Sequence, residues 1–134
     1  MIYILDAGAL IAYVRDEAGA DAVAAVLLNK ANLCFAHAIN FCEVFYDFYR
    51  TGGLQEAEDV CRNLIRFGVE LREDVTLPTW QRAATIKATH RRVSLADCFA
   101  IALAQSLGGT VLTTDHHEFD AIVAANVCPV EFIR

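Results

Sequence analysis

Four acidic residues of this 134-residue chain stand beside apolar segments: Asp6 after "MIYIL", Glu43 within "INFCEVFYDFYR", Asp97 within "SLADCFAIALA" and Asp115 after "TVLTT". If such carboxylates meet, they cannot all stay ionised unaided, because like charges a few ångströms apart push some pKa values up. The relief is a hard cation with oxygen ligands, Mg²⁺ or Mn²⁺, which keeps several of its waters. A cation held this way generates hydroxide near neutral pH and stabilises an in-line displacement at phosphorus. That chemistry needs no protein nucleophile. The sequence holds no G-x-S-x-G, no G-x-G-x-x-G and no G-x-x-x-x-G-K-[ST].

Whether the four acids meet depends on the elements that carry them. "MIYIL" reads as a fully buried strand ending at Asp6. "ALIAYVR" and "ADAVAAVLLNK" read as helices broken at Gly19, and "LCFA" (33–36) as a short strand. "INFCEVFYDFYR" is a helix stopped by Gly52-Gly53, and "LQEAEDVCRNLIRF" is the next, ending at Gly68. "VELR" (69–72) is a strand, and "PTWQRAATIKATHRR" is a helix with Pro78 near its first turn. "SLADCFAIALAQSL" is a helix ended by Gly108-Gly109, "TVLT" (110–113) a strand, "HHEFDAIVAAN" a short helix and "PVEFI" (129–133) a last strand. Strands alternating with helices predict an α/β fold: an α/β/α sandwich with a central parallel sheet of about five strands, one domain over residues 1–134.

In such sheets ligands bind outside the carboxyl ends of the strands. Asp6 directly follows the first strand, and Asp115 follows the fourth by two residues. Glu43 lies in the early turns of the helix leaving the second. The helix holding Asp97 feeds the fourth strand, so it runs antiparallel to the strands and its first turn lies at the same edge. Topology alone therefore brings four distant carboxylates to one edge. Each also has a plainer reading. Ser94-x-x-Asp97 resembles a capping box, with aspartate in place of glutamate. Asp6 and Asp115 suit helix N-caps. Asn40, Glu43 and Asp47 share one helix face, as a solvated stripe would.

The segments "YILDAGALIAY", "INFCEVFYDF", "VSLADCFAIALAQSLGGTVLTTDHHEFD" and "CPVEFIR" cover nearly the whole chain. Taken in order, they resemble the PIN-domain ribonucleases, particularly the small VapC-type toxins of type II toxin–antitoxin pairs. The resemblance implies a Mg²⁺- or Mn²⁺-dependent endoribonuclease that acts on RNA, forms a homodimer and is silenced by an antitoxin protein. It implies Asp6, Glu43, Asp97 and Asp115 as catalytic, metal-binding acids. It also implies Thr113, in the T-x-D element, as the hydroxyl that orders a metal water or an acidic neighbour. The family often has serine or threonine two residues after the first aspartate, where this chain has Gly8. Weaker metal affinity is one expected consequence; compensation by Thr113 and Asn40 is the other. Asn40 is expected either to orient Glu43 or to be an ordinary helix-start residue.

The formal net charge is −6, but residues 61–96 hold seven basic side chains against three acids. Acids that hold a cation count as bare negative charge, so a phosphate-bearing substrate fits this balance. Arg91 and Arg92, just before Ser94, are candidate phosphate contacts, with Arg82, Lys87, His90 and, from the first helix, Arg15. A solvated helix face is the alternative. His116-His117 read as a surface helix start, and Phe41, Phe45, Phe48 and Tyr49 as core or dimer interface.

The five cysteines form no C-x-x-C pair, which suits small buried thiols in a reducing cytoplasm. Hydrophobic residues make up 56% of the chain, with a mean hydropathy of +0.36. That predicts two-sided burial or an apolar interface, for which Ala22–Leu28 is the natural place. No apolar run approaches the ~18–20 residues of a membrane span, and the start lacks the basic region of a signal peptide. A phospho-accepting domain would need a lysine at the end of the fifth strand, which "PVEFIR" lacks. A D-x-D phosphatase fails at Gly8. The alternative left is a non-catalytic PIN-like module that binds RNA or protein. Nothing in the sequence visibly reads a 2′-hydroxyl, so DNA stays open as a substrate.

Overall fold

A computed structural model describes all 134 residues. The elements run β1 (Ile2–Leu5), α1 (Ala7–Val14), α2 (Ala20–Leu28), β2 (Leu33–His37), α3 (Ala38–Arg66), β3 (Val69–Arg72), α4 (Leu77–Thr89), α5 (Leu95–Leu107), β4 (Thr110–Thr113), α6 (His116–Ala124) and β5 (Val130–Phe132). The strands form one parallel sheet in the order β3-β2-β1-β4-β5, the predicted α/β architecture. β1 is the central strand, and the chain builds outward from it in both directions.

Side chains alternate along each strand, so the sheet feeds two cores. Tyr3, Leu5, Cys34, Ala36 and Leu112 pack on one face with α1, α2 and α3. Ile4, Phe35 and Val111 pack on the other with α4, α5 and α6. A fully buried Leu, Ile or Val stabilises the fold by about 1.5–3 kcal/mol relative to an exposed one. This two-sided burial accounts for the apolar composition. α5 is buried without a break from Ala96 to Ala104, because it lies against the sheet beneath α4. No helix is long and apolar enough to cross a membrane.

Some boundaries differ from expectation. The helix expected to run through Arg92 stops at Thr89. Val93 is fully buried, so the chain must turn inward before α5. Lys87 Nζ fixes that turn by donating to the carbonyls of Arg91, at 2.8 Å, and Val93, at 2.7 Å. The two helices expected on either side of Gly52-Gly53 are halves of α3, separated where Gly53 leaves helical geometry at φ 87° and ψ −178°. All five cysteines are free thiols, but Cys42 is exposed rather than buried.

Candidate metal centre

Four helices, α1, α3, α5 and α6, begin at the carboxyl edge of the sheet, and each start is fixed by a side chain. Asp6 caps α1 by accepting a hydrogen bond from Ala9 N at 2.8 Å. Ser94 caps α5, its Oγ accepting from Asp97 N at 3.2 Å. Asp115 caps α6 by accepting from Glu118 N at 3.0 Å. Its own amide donates to Thr113 Oγ1 at 3.0 Å. β1 and β4 are neighbours here, joined by Asp6 N donating to Leu112 O at 3.2 Å. Capping and clustering, the two readings of Asp6 and Asp115, therefore hold together.

The capping box at α5 is only half closed. In a complete box the Asp97 carboxylate would reach back to Ser94 N. That amide donates instead to Glu118 Oε1 of α6, at 2.9 Å. Asp97 is thus released from its own backbone and faces the other acids. Asp6, Glu43, Asp97, Asp115 and Glu118 wall one open cavity of about 260 Å³, with Gly8, Ser94 and Thr114 between them and no apolar residue. Carboxylate oxygens of Asp97, Asp115 and Glu118 lie within 4.8 Å of one another. The structure brings the four anticipated acids together and adds Glu118, which the sequence reading missed. The Asp115-x-x-Glu118 spacing, that of a capping pair, is the signal that could have found it.

No basic side chain walls the cavity. Burial pushes the Asp97 carboxyl up to about 10, helped by its hydrogen bond to Glu118 and by the charges of Asp6, Glu118 and Glu43. Burial likewise pushes Asp6 up to about 7, against hydrogen bonds from Thr113 and Ala9 and with the charges of Asp115 and Glu118. Glu43 is raised by burial and by Glu118. An all-oxygen donor set, short of positive charge and with three carboxylates within reach of one small ion, fits Mg²⁺ or Mn²⁺.

Other expectations need correction. Asn40 is fully buried and does not wall the cavity. Its Oδ1 accepts from Ala7 N and its Nδ2 donates to Ala96 O, both at 3.2 Å. It ties the starts of α1 and α5 to α3, and has no surface for a substrate. Arg15 is held by Asp47 Oδ2 at 2.7 Å and lies 4.5 Å above the Phe48 ring, outside the cavity wall. The Lys87 ammonium serves the loop carbonyls. Arg82 lines a groove with Ser106, at the far end of α5 from Asp97. Arg91 and Arg92 stay exposed and free of ion pairs on the loop leading to Ser94.

His116 stacks on Phe132, ring centroids 3.8 Å apart, and bonds to Asp120 and Arg134 O. His37, which the sequence left unassigned, is fully buried. It starts α3 by accepting from Ile39 N at 3.1 Å through Nδ1, and its Nε2 donates to Asp74 O at 2.8 Å. It thereby holds the helix that carries Glu43.

No curated protein matches the sequence. The fold is similar to that of the DNA-bound VapBC complex of Salmonella typhimurium, with a TM-score of 0.76 at 18% identity, over 100% of this chain and 99% of that one. It is similar to a toxin–antitoxin complex of Klebsiella pneumoniae, with a TM-score of 0.71 at 15% identity, over 98% of each chain. It is also similar to Mycobacterium tuberculosis VapC20, a sarcin–ricin loop cleaving toxin, with a TM-score of 0.70 at 15% identity, over 90% of this chain and 95% of that one. Residues 3–124 match the PIN domain. Because that match runs from β1 to the end of α6 and takes in every residue of the acidic cavity, the chain belongs to the PIN domain family.

Proposed function

We propose that the chain is a divalent-cation-dependent endoribonuclease and the toxin of a toxin–antitoxin pair. The observation that carries this reading is the convergence of five carboxylates, from four separate segments, on one apolar-free cavity. Asp97, Asp115 and Glu118 would hold the cation, with Asp6 and Glu43 lining the same cavity. Bound there, Mg²⁺ or Mn²⁺ supplies water activation and neutralises charge developing on the phosphate. The chain supplies the rest. Asp6 is locked by Ala9 N and Thr113, so its carboxylate does not turn away. The amino ends of α1, α5 and α6 face the cavity, and their dipoles favour the carboxylates and a phosphate. Arg91 and Arg92 have free guanidinium groups for flanking phosphates. The sarcin–ricin loop cleavage named for VapC20 supports RNA as the substrate, and the toxin–antitoxin complex of Klebsiella pneumoniae supports a protein inhibitor. The homodimer and a cytoplasmic location belong to the same reading.

The decisive experiment incubates the purified, partner-free protein with total RNA in Mg²⁺, Mn²⁺ or EDTA, beside Asp97→Asn. Cutting that needs the cation and vanishes in Asp97→Asn, with the fold intact by circular dichroism, supports the proposal. A wild type that binds no Mn²⁺ by calorimetry overturns it and favours a non-catalytic binding module.

A further inference from the structure

Gly8 sits in the first turn of α1 with ordinary right-handed backbone, unlike Gly19, Gly53, Gly68 and Gly108, whose φ angles are positive. Glycine weakens a helix relative to alanine, so backbone conformation does not call for it here. Space does. A Cβ at position 8 would stand 2.7 Å from Thr114 Oγ1, closer than real Cβ contacts allow, and 3.4 Å from Asp6 Oδ1. The conflict is with the hydroxyl alone, since Thr114 Cβ would lie at an ordinary 3.9 Å. The missing side chain leaves a notch in the cavity wall beside Asp6, and the Thr114 hydroxyl fills it.

The hydrogen bonds of the site use Thr113 Oγ1, Ser94 Oγ and the carboxylates of Asp6, Asp115 and Glu118, and leave Thr114 Oγ1 unengaged. The residue is half-buried on the wall of the acidic cavity. A free donor and acceptor in that place meets whatever enters. We infer that Thr114 is a positioning residue of the site, whose hydroxyl, admitted by Gly8, holds a water of the hydrated divalent cation. The inference rests on the cation reading of the cavity. Thr113 points elsewhere, to Asp115 N and to Asp6, and cannot fill this role.

The test is Mn²⁺ calorimetry on the full metal-free chain, so that no substrate enters the readout. The variants are Thr114→Val, Thr114→Ser, Thr114→Ala, Gly8→Ser and Gly8→Ser with Thr114→Ala. Thr114→Val keeps the shape, melts like the wild type and weakens Mn²⁺ binding about tenfold, as loss of an outer-sphere partner does. Thr114→Ser stays within about twofold, because it keeps the hydroxyl. Gly8→Ser alone displaces the Thr114 hydroxyl and weakens binding. Joined to Thr114→Ala it has room, and the new serine hydroxyl restores affinity to within about threefold of wild type. A Thr114→Val protein that binds Mn²⁺ like the wild type overturns the inference and leaves the cation reading standing. So does a double variant no better than Thr114→Ala. A wild type that binds no Mn²⁺ overturns both.

Discussion

Two cavities of similar size and opposite character lie in this chain. One, about 350 Å³, opens between α1 and the second half of α3 and is lined mainly by Tyr13, Val14, Val60, Leu64 and Phe67. The other, about 260 Å³, is the acidic one and has no apolar wall. The larger is held by side-chain packing, with Tyr13 and Phe67 edge to face at 6.2 Å. The smaller is held by backbone amides, three helix starts and a buried asparagine. The first gathers no cluster of like charges. The second gathers like charges and works against the fold that carries it. Size therefore does not single out the candidate site; the destabilising chemistry does.

The sharpest way to break this contrast is Asp97→Asn. It should abolish Mn²⁺ binding and lower RNA cleavage by at least about 100-fold, more than loss of an outer-sphere partner costs. The same change should raise the stability of the metal-free protein at pH 8 by about 1 kcal/mol or more, or about 4 °C in Tm, by removing a carboxyl that resists ionisation. Calorimetry and a melting curve check the two halves. If the variant melts below the wild type without metal, the acidic cavity is not a destabilising feature.

Leu64→Ala is the opposite intervention. Leu64 is fully buried and borders the apolar cavity. Its truncation should cost about 2–3 kcal/mol in a urea titration, because the hole cannot collapse. Mn²⁺ affinity should stay within about twofold, since the two regions share no partners. A parallel loss of affinity would mean that the cavities are coupled.

The pH dependence comes next. A carboxyl whose folded pKa is raised stabilises the fold while protonated and loses that contribution as pH climbs through the folded value. Without cation, Tm should fall between pH 5 and pH 8, as Asp6 passes about 7 and ionisation of Asp97, near 10, grows costlier. Saturating Mn²⁺ should flatten the slope by supplying the missing positive charge. A metal-free Tm that rises over this range would contradict the assigned shifts. The smallest effect belongs to Arg91→Ala with Arg92→Ala. KM for RNA should rise about threefold with kcat kept, and the dependence of log affinity on log salt should shallow by about 2. A loss in kcat instead would place these arginines at the reacting phosphate.

The edge location of Asp6, Glu43, Asp97 and Asp115 was legible because strand–helix alternation dictates which chain ends share an edge. Glu118 was not. Its carboxylate belongs to the site because Ser94 N, on another helix, captures it; the Asp115-x-x-Glu118 spacing within "DHHEF" marks a capping pair and does not show that capture. Arg82 and Lys87 fall away from the site for the same reason in reverse. Arg82 and Lys87 share a helix with the approach to Arg91, yet only three-dimensional packing shows one at the far end of α5 and the other bonded to a loop. Asn40 was visible as a polar residue at a helix start; that its amide joins α1 to α5 is a tertiary fact.

The strand order has a consequence for synthesis. β1 is made first but is the middle strand, and its second partner, β4, begins at Thr110. Pairing them closes a loop of about a hundred residues, a slow, non-local step. Asp6 and Glu43 leave the ribosome long before Asp115 and Glu118 exist. A nascent or truncated chain ending before Thr110 carries three of the five acids, lacks the strand that brings the other two, and has no assembled site. Under the proposed activity, the chain is harmless to RNA until the segment from Thr110 onward has been translated and docked.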